Sequence, residues 1–422
     1  MPKSSKPEFD VVVWGATGFT GKLVAEYLAR TQDTHRARWA LAGRDRAKLE
    51  QVRADLARKH PTCAEQPLLV ANAKDTASLD ALVGRTRVII STVGPYASYG
   101  SELVAACARG GTDYCDLTGE VQWMRRMIDA HDAQARESGA RIVHTCGFDS
   151  IPSDLGTLML QEHMRAQHGG HCDRVRMYVT KASGGVSGGT ISSALRMLEE
   201  VEQDPSLRRV LANAHALDPE PKQLPRRPEE RDQMGVRYSE ELGRWTGPFF
   251  MASVNTRVVR RSNALLGHPW GKDFLYSEAM SFAPGVRGLA VASGFTAALG
   301  AFFAAASVAP VRKQLEQRVL PAPGTGPSEE QRENGSFAMK FFSEGLAPQS
   351  GRRVKLEGKV AAKGDPGYAA TARMLAESAL CLAFDDVPSA GGVLTPASGM
   401  GTRLIERLRK AGMTFEVHEA TA

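Results

Sequence analysis

The sequence predicts an α/β protein in which a doubly wound parallel sheet is followed by a second, α+β domain. Three observations predict this fold class. Residues 10–14 are a short β-branched run typical of a buried parallel strand, a glycine turn follows at 15–21, and apolar residues then recur at helical spacing. Strand and helix patterns alternate to residue 157 and then stop alternating, which indicates a new domain from residue 158.

The turn after the first strand has the features of a Rossmann-type dinucleotide site. Gly15 permits the tight exit from the strand, Gly18 lets the backbone approach a diphosphate, and Gly21 allows the helix to pack closely on the sheet. The spacing is GxxGxxG, a variant common in NADP-linked reductases. The predicted cofactor-binding residues of the turn are Gly15, Ala16, Thr17, Gly18, Phe19, Thr20 and Gly21. The alternative is a purely structural turn.

Arg44 follows the predicted second strand, residues 38–42. An acidic residue at this strand end binds the ribose hydroxyls of NAD, whereas a basic residue pairs with the 2′-phosphate of NADP. The sequence therefore favours NADP(H) over NAD(H). The alternative is a solvated arginine that opens the next helix.

The fourth predicted strand, residues 87–93, ends at the crevice where such folds bind their ligands. Val93, Gly94 and Pro95 are predicted to line the cofactor, with Gly94 allowing a close backbone approach and Pro95 fixing the turn. Tyr96 is then a candidate catalytic proton donor. A packing role for this aromatic ring is the alternative.

A further predicted strand, residues 141–145, is followed by a polar loop over 146–156. Because this loop follows the carboxyl end of a strand, a substrate would meet the nicotinamide there. Asp149 is the candidate catalytic residue of the loop, with a helix N-cap as the alternative. His144 is interpreted as a core histidine, with a catalytic base as the alternative.

The second domain is predicted to span 158–390, and residues 391–422 to add a C-terminal helix and strand. Glycines at 184–189 could form a second anion-binding turn or a flexible one. Polar composition predicts a mobile surface segment over 204–235, and 321–335 has the composition of a disordered loop. The predicted strands are 174–181, 256–261, 353–363 and 414–418, and the predicted helices are 191–202, 368–384 and one that ends at Leu408.

Residues 288–309 carry no charge, and basic residues stand on both sides of them. The length reaches that of a membrane-spanning helix, but the composition is rich in Ala and Gly. Three interpretations remain open: a buried helix, a helix at a lipid interface or acyl chain, and a membrane span.

Composition excludes several classes of protein. The chain has 422 residues and a net charge of +6, with no long Lys/Arg run, which argues against nucleic-acid binding. Its six cysteines are scattered, which predicts reduced thiols and no metal site. The N-terminus lacks a secretory signal, so we expect a cytoplasmic protein, with membrane association as an alternative.

Seven motifs resemble the saccharopine dehydrogenase-like oxidoreductases, in the branch of the trans-acting enoyl reductases. The motifs are GATGFTG (15–21), STVGPYASYG (91–100), DYCDLTGE (113–120), GFDSIPSDLG (147–156), GGTISSAL (188–195), DPGY (365–368) and GGVLTPASGMG (391–401). The resemblance covers nearly the whole chain. It implies an NADP-type Rossmann domain with an inserted α+β domain.

The resemblance also implies a reaction. NADPH would reduce a carbon–carbon double bond of an acyl or polyketide chain in lipid or glycolipid biosynthesis, and the acyl substrate would be bound to a carrier protein. Peripheral contact with a lipid surface and a homodimer are further expectations. Two alternatives stay open: a saccharopine-type dehydrogenase acting on a carbonyl or imine, and a non-catalytic nucleotide-binding protein at lipid surfaces. A short-chain reductase is disfavoured, because no tyrosine is followed four residues later by Lys.

Overall fold

The computed structural model describes residues 7–183, 188–220, 227–318 and 326–420. The chain forms two seven-stranded sheets. The strands of the first sheet are β1 (Phe9–Trp14), β2 (Trp39–Gly43), β3 (Leu68–Val70), β4 (Thr86–Ser91), β5 (Asp113–Asp116), β6 (Arg141–Val143) and β13 (Gly392–Leu394). Those of the second are β7 (His171–Ser183), β8 (Arg237–Ser239), β9 (Arg244–Gly247), β10 (Leu275–Ser281), β11 (Ser336–Ala347), β12 (Arg352–Lys363) and β14 (Thr414–Glu419).

The first sheet is parallel throughout, in the order β13-β6-β5-β4-β1-β2-β3. All six residues of β1 are buried, which explains its apolar sequence apart from Asp10, whose carboxylate is bonded to Arg38. The strand order reverses between β1 and β4, and in such sheets ligands bind at the carboxyl ends of the strands beside this switch. The predicted doubly wound sheet is therefore confirmed.

The second sheet is mixed, in the order β14-β12-β11-β7-β10-β9-β8. Among the described strand pairs only that of β7 with β10 is parallel, and the long hairpin of β11 and β12 lies between β7 and β14. Gly156 lets the helix that follows β6 approach this sheet, because a Cβ there would lie 2.4 Å from the ring of Phe341. The predicted combination of a parallel sheet with an α+β domain is confirmed.

Sixteen α-helices lie in the described residues. They are α1 (Phe19–Arg30), α2 (Gln32–His35), α3 (Arg46–Lys59), α4 (Thr76–Val83), α5 (Tyr96–Tyr99), α6 (Ser101–Gly110), α7 (Val121–Ser138), α8 (Ile151–His168), α9 (Gly188–Gln203), α10 (Leu207–Leu211), α11 (Ala252–Leu265), α12 (Gly285–Ala306), α13 (Ala309–Arg318), α14 (Glu329–Glu333), α15 (Ala369–Phe384) and α16 (Pro396–Lys410). Side chains at several N-termini explain where the helices begin: Asp45 caps α3 and Asp75 caps α4.

The end of the chain returns to the first sheet. Helix α15 packs against β1, β4 and β5, and β13 adds a seventh strand beside β6. Strand β14 then pairs with β12 in the second sheet. The segment 391–422 thus contributes one strand to each sheet.

The predicted strand 256–261 is wrong, because these residues lie in the middle of α11. The alternation of Val with Thr and Arg suggested one buried face. In the structure Arg257, Arg260 and Arg261 are buried as well. The guanidinium group of Arg260 donates to the carbonyl oxygens of Ala214, Glu230 and Tyr276. Their terminal guanidinium nitrogens find hydrogen-bond partners inside the core, although the Nε atom of each has none in the described residues, so their charge did not mark a solvent face.

Two loop predictions also need correction. Within 204–235, residues 207–211 form α10, and His215, Asp218 and Glu230 are buried, so the described part of this segment is not a mobile surface excursion. Residues 221–226 lie outside the described residues, as do 184–187 of the predicted second anion-binding turn. The loop predicted over 146–156 ends at Ser150, since α8 begins at Ile151 with Pro152 in its first turn.

Helix α12 contains most of the uncharged segment. Among the described residues it is the one helix long and apolar enough to cross a membrane. Only 11% of its most apolar 18-residue stretch is buried in the protein. Val286 is 84% exposed, and Val291 and Phe295 are exposed as well. The interpretation as a buried domain helix is therefore wrong.

Candidate active site

The glycine turn between β1 and α1 leaves an open backbone surface at the edge of the first sheet. Gly15 has a φ of +88°, which residues with a side chain rarely adopt. A Cβ on Gly21 would lie 2.2 Å from the carbonyl oxygen of Gly15, so no side chain fits there. A Cβ on Gly18 would meet only that oxygen, at 3.3 Å. Space for a ligand is therefore available beside Gly18.

The first turn of α1 can accept an anion. Gly18 is its N-cap residue and offers no side-chain hydrogen bond, and the turn contains no acidic residue. Free N–H groups and the helix dipole attract negative charge at such a position. Thr17, Phe19 and Thr20 are half-buried around the turn, whereas Ala16 is buried in the core. The residues present fit the diphosphate of a dinucleotide.

Arg44 is exposed directly after β2 and makes no ion pair or hydrogen bond with the part of the chain that the structure describes. The basic residues near it are already paired: Arg46 Nε lies 3.0 Å from Glu50, and Lys48 Nζ lies 3.9 Å from Asp45. Arg44 is thus the cation at this strand end that is free to bind a ligand phosphate.

Val93, Gly94 and Pro95 follow β4 and lie next to the glycine turn. The Cγ2 atom of Val93 would lie 2.6 Å from a Cβ on Gly15. Gly94 is exposed, and the peptide bond between Gly94 and Pro95 is cis. The structure thus brings together the two segments that were predicted to line the cofactor, because β1 and β4 are neighbours in the sheet.

Tyr96 occupies a structural position, which argues against its predicted role as proton donor. The ring is buried and lies 5.5 Å from the ring of Trp123. Its hydroxyl donates to the carbonyl oxygen of Ser91 at 3.0 Å and accepts from the N–H of Leu117 at 3.2 Å. Burial, and then the charge of Asp116, raise the pKa of this hydroxyl well above its usual value. Both hydrogen-bonding positions are occupied by backbone, so no proton is available to a substrate.

Asp149 is better suited to acid–base chemistry. It follows β6 at the carboxyl edge of the sheet and is half-buried. Burial raises the pKa of its carboxyl group to about 7, and the charge of Asp116 adds to this effect. The N-cap residue of α8 is Ser150, so Asp149 does not have the alternative capping role. A carboxyl group with a pKa near neutrality can hold and release a proton under physiological conditions.

Glu120 is a functional candidate that the sequence analysis missed. Its Oε1 atom accepts a hydrogen bond from the N–H of Tyr96 and its Oε2 atom one from the N–H of Ala97, both at 2.9 Å. The carboxylate therefore holds the loop that follows Gly94 and Pro95. Burial raises its pKa. A signal was present in the sequence, because Glu120 ends the motif after β5 at the same sheet edge.

A buried cluster of hydrogen-bonded side chains surrounds Asp116 at the carboxyl end of β5. Its carboxylate accepts from the hydroxyl of Tyr114 at 2.9 Å and lies 2.8 Å from Nδ1 of His144. It also accepts from the N–H groups of Thr118 and Thr145. His144 is buried, as its interpretation as a core histidine requires.

Comparison with known proteins agrees with this geometry. Residues 11–143 match the family described as saccharopine dehydrogenase NADP binding domain. A protein of Mycobacterium tuberculosis, assigned by name to the trans-acting enoyl reductases, is 44% identical over 418 residues, which cover 97% of each chain. A trans-acting enoyl reductase of Mycobacterium leprae is 40% identical over 422 residues, covering 97% of this chain and 98% of that protein.

The apo structure of saccharopine dehydrogenase (L-Glu forming) from Saccharomyces cerevisiae has the same fold. It superposes with a TM-score of 0.55 at 13% identity, covering 98% of this chain and 100% of that one. At this identity the likeness concerns the fold alone. The first sheet is accordingly an NADP(H)-binding domain of an NAD(P)H-dependent oxidoreductase.

Proposed function

Since the chain belongs to the trans-acting enoyl reductases, within the saccharopine dehydrogenase-like oxidoreductases, we propose that it reduces the carbon–carbon double bond of an acyl chain with NADPH. The observation that carries the proposal is the order of the strands. Because β1, β4, β5 and β6 are consecutive neighbours, the glycine turn, the loop at Gly94 and the carboxyl group of Asp149 all lie along one edge of the sheet.

Each segment of this edge has a separate task. The N–H groups of the glycine turn would bind the diphosphate, and Arg44 would bind the 2′-phosphate that distinguishes NADPH from NADH. The backbone from Val93 to Pro95 would lie along the nicotinamide ribose. NADPH, when bound, supplies the hydride for the β-carbon of an enoyl thioester.

The reaction also needs a proton for the α-carbon. Asp149 is our candidate donor, because its pKa of about 7 leaves a substantial protonated fraction at neutral pH. Its half-buried position would allow the carboxyl group to take up a new proton from water after each turnover. We no longer assign this role to Tyr96.

Cofactor preference can be measured by fluorescence titration with NADPH and NADH. Arg44→Ala should weaken NADPH binding about 10- to 100-fold, which is the loss of affinity expected when one hydrogen bond between charged groups is removed. The affinity for NADH should stay unchanged. Arg46→Ala is the matched control, because Arg46 is already paired with Glu50. Equal losses of NADPH affinity in the two variants would contradict the assignment of Arg44.

Substrate class is tested by adding thioesters to the NADPH complex. We expect oxidation of NADPH with a long-chain enoyl thioester, and a lower KM when the same chain is held by an acyl-carrier protein instead of a small thiol. A positively charged chain suits an acidic carrier, since its net charge is +6. Turnover of a small carbonyl or imine, with none of the thioester, would refute enoyl reduction. NADPH binding without any turnover would support the non-catalytic alternative.

We also propose that α12 lies on the surface of a lipid membrane. The helix would be about 33 Å long, and one exposed side of it carries Val291 and Phe295, with no charged residue between Arg287 and Arg312. Its other side packs against β9, where a Cβ on Gly247 would lie 3.2 Å from Thr296. A helix held by the protein along one side suits an interfacial position better than a span.

Flotation with phosphatidylglycerol vesicles tests this surface. Phe295→Glu should reduce the bound fraction several-fold, whereas Leu346→Glu should not, because Leu346 is a somewhat more exposed apolar residue that lies on β11 instead of α12. Unchanged flotation of Phe295→Glu would refute the membrane proposal. A change from dimer to monomer in light scattering would instead assign the helix to contact with a second copy.

A further inference from the structure

The carboxylate of Glu120 has a third hydrogen-bond donor, which belongs to helix α9 and not to the domain of the first sheet. In addition to the N–H groups of Tyr96 and Ala97, it accepts a hydrogen bond from the hydroxyl of Ser193 at 2.9 Å. Ser193 is in the second turn of α9. One carboxylate thus connects the loop beside the nicotinamide position with a helix 73 residues further along the chain.

Helix α9 is held loosely compared with its neighbours. Of its described side chains only Leu195 is buried, and that residue is not part of the main hydrophobic core. Ile191, Met197 and Leu198 are apolar but half-exposed. Little apolar burial means that individual polar contacts determine where the helix lies.

Two of the polar contacts lie on one side of α9, facing α7, and two others hold its ends: the N–H of Gly188 donates to the hydroxyl of Tyr368, and Glu202 pairs with Arg312 of α13. Ser193 and Glu200 are separated by two helical turns and therefore lie on one face. Ser193 bonds to Glu120, the N-cap residue of α7, and Glu200 lies 3.2 Å from Arg126 of the same helix. The side chain of Arg126 is 44% exposed whereas Glu120 is buried, so the contact at Glu120 is the more buried of the two that face α7.

We propose that Glu120 is a positioning residue that latches α9 over the nicotinamide end of the cofactor site. This rests on the proposed function for the identity of the cofactor and substrate. The latched helix would place the half-exposed side chain of Met197, which lies within about 40° of Ser193 around the helix, beside the reacting carbons, where it would bind the first part of the acyl chain. The same carboxylate also holds the loop at Tyr96 and Ala97. The positions of the cofactor loop and the substrate-binding helix therefore depend on one side chain.

The latch depends on the number of hydrogen-bond donors that the buried carboxylate of Glu120 has. The structure gives Glu120 three hydrogen-bond donors within the described residues and no salt bridge. Losing Ser193 removes one of the three and leaves one lone pair of a buried carboxylate without a partner. Hydrogen bonds to charged groups are worth about twice those between neutral groups, so this single contact can hold a loosely packed helix.

Hydrogen exchange of the full-length protein without cofactor tests the latch directly. Ser193→Ala should speed exchange of the α9 amides about 10-fold or more, and Ser193→Thr, which keeps a hydroxyl, should restore slow exchange. Ser192→Ala is the matched control, because Ser192 is the neighbouring half-exposed serine and makes no hydrogen bond in the described residues. Unchanged exchange in Ser193→Ala would overturn the proposal, whatever reaction the protein catalyses.

Binding and kinetics separate the latch from a general loss of structure. Ser193→Ala should leave the Kd for NADPH within about threefold and raise the KM for the enoyl thioester about 10-fold, with a smaller change in kcat. Glu120→Gln should show the same KM effect and also weaken NADPH binding, because the loop at Ala97 loses its acceptor. An unchanged KM in Ser193→Ala would refute α9 as the substrate-binding helix. If Ser193→Ala exchanges rapidly but the wild type does not turn over any enoyl thioester, the proposed function alone is refuted and the latch stands.

Discussion

Replacing His215 by Gln should remove a large pH dependence from the stability of this protein. The imidazole is buried, with Nδ1 2.7 Å from Asp218 and Nε2 3.0 Å from Glu230. Burial lowers the pKa of this imidazole, but the hydrogen bonds to Asp218 and Glu230 outweigh that effect and raise the pKa to about 9. The histidine is therefore a buried cation between two carboxylates at neutral pH.

The size and sign of the effect follow from this pKa. An imidazole with a pKa of 6.5 when unfolded and about 9 when folded contributes about 3 kcal/mol to the free energy of unfolding, since each pKa unit is worth about 1.4 kcal/mol. Because the folded pKa is the higher one, this contribution is fully present below pH 6.5. It is lost as the pH rises through about 9.

Equilibrium urea unfolding of wild type and His215→Gln over pH 6 to 10 measures this contribution. The wild type should be more stable than the variant at pH 6, and the difference should shrink by about 3 kcal/mol towards pH 10, as titrating groups that do not contact residue 215 cancel in the comparison. An NMR titration of ¹³C-labelled histidine would give the pKa directly. A constant difference between the two proteins over this pH range would refute the charged state of His215.

Three further predictions concern the active site. Gly18→Val should abolish NADPH binding without unfolding the protein, because the Cβ would occupy the open side of the turn; unchanged affinity in a titration would contradict the diphosphate site. Gly21→Ala should instead lower thermal stability, since its Cβ would lie 2.2 Å from a carbonyl oxygen, and an unchanged Tm would contradict the packing described for α1. The kcat of the wild type should fall as the pH rises above about 7, because Asp149 loses its proton; Asp149→Asn should be slower and lack this decline, and a variant with the wild-type pH profile would exclude Asp149 as the donor.

The sequence by itself determined the dinucleotide-binding unit. Gly18 and Gly21 are constrained by the backbone of Gly15, only a few residues away, although Gly15 itself also abuts Thr92 and Val93 after β4. The consecutive apolar residues 11–14 of β1 similarly indicated burial on both faces. Arg44 could be identified because its position relative to β2 is a local property. Local patterns therefore predicted the parallel sheet and its cofactor.

Only the tertiary structure decided the properties that depend on distant partners. The hydroxyl of Tyr96 is taken by the N–H of Leu117, the carboxyl group of Asp149 is affected by Asp116, and Glu120 bonds to Ser193. The helix α11 was read as a strand because its buried arginines find carbonyl oxygens in segments far along the chain. Burial and hydrogen bonding of polar groups depend on which segments meet in space. Sequence spacing cannot give this information, because the meeting segments here are tens to more than a hundred residues apart.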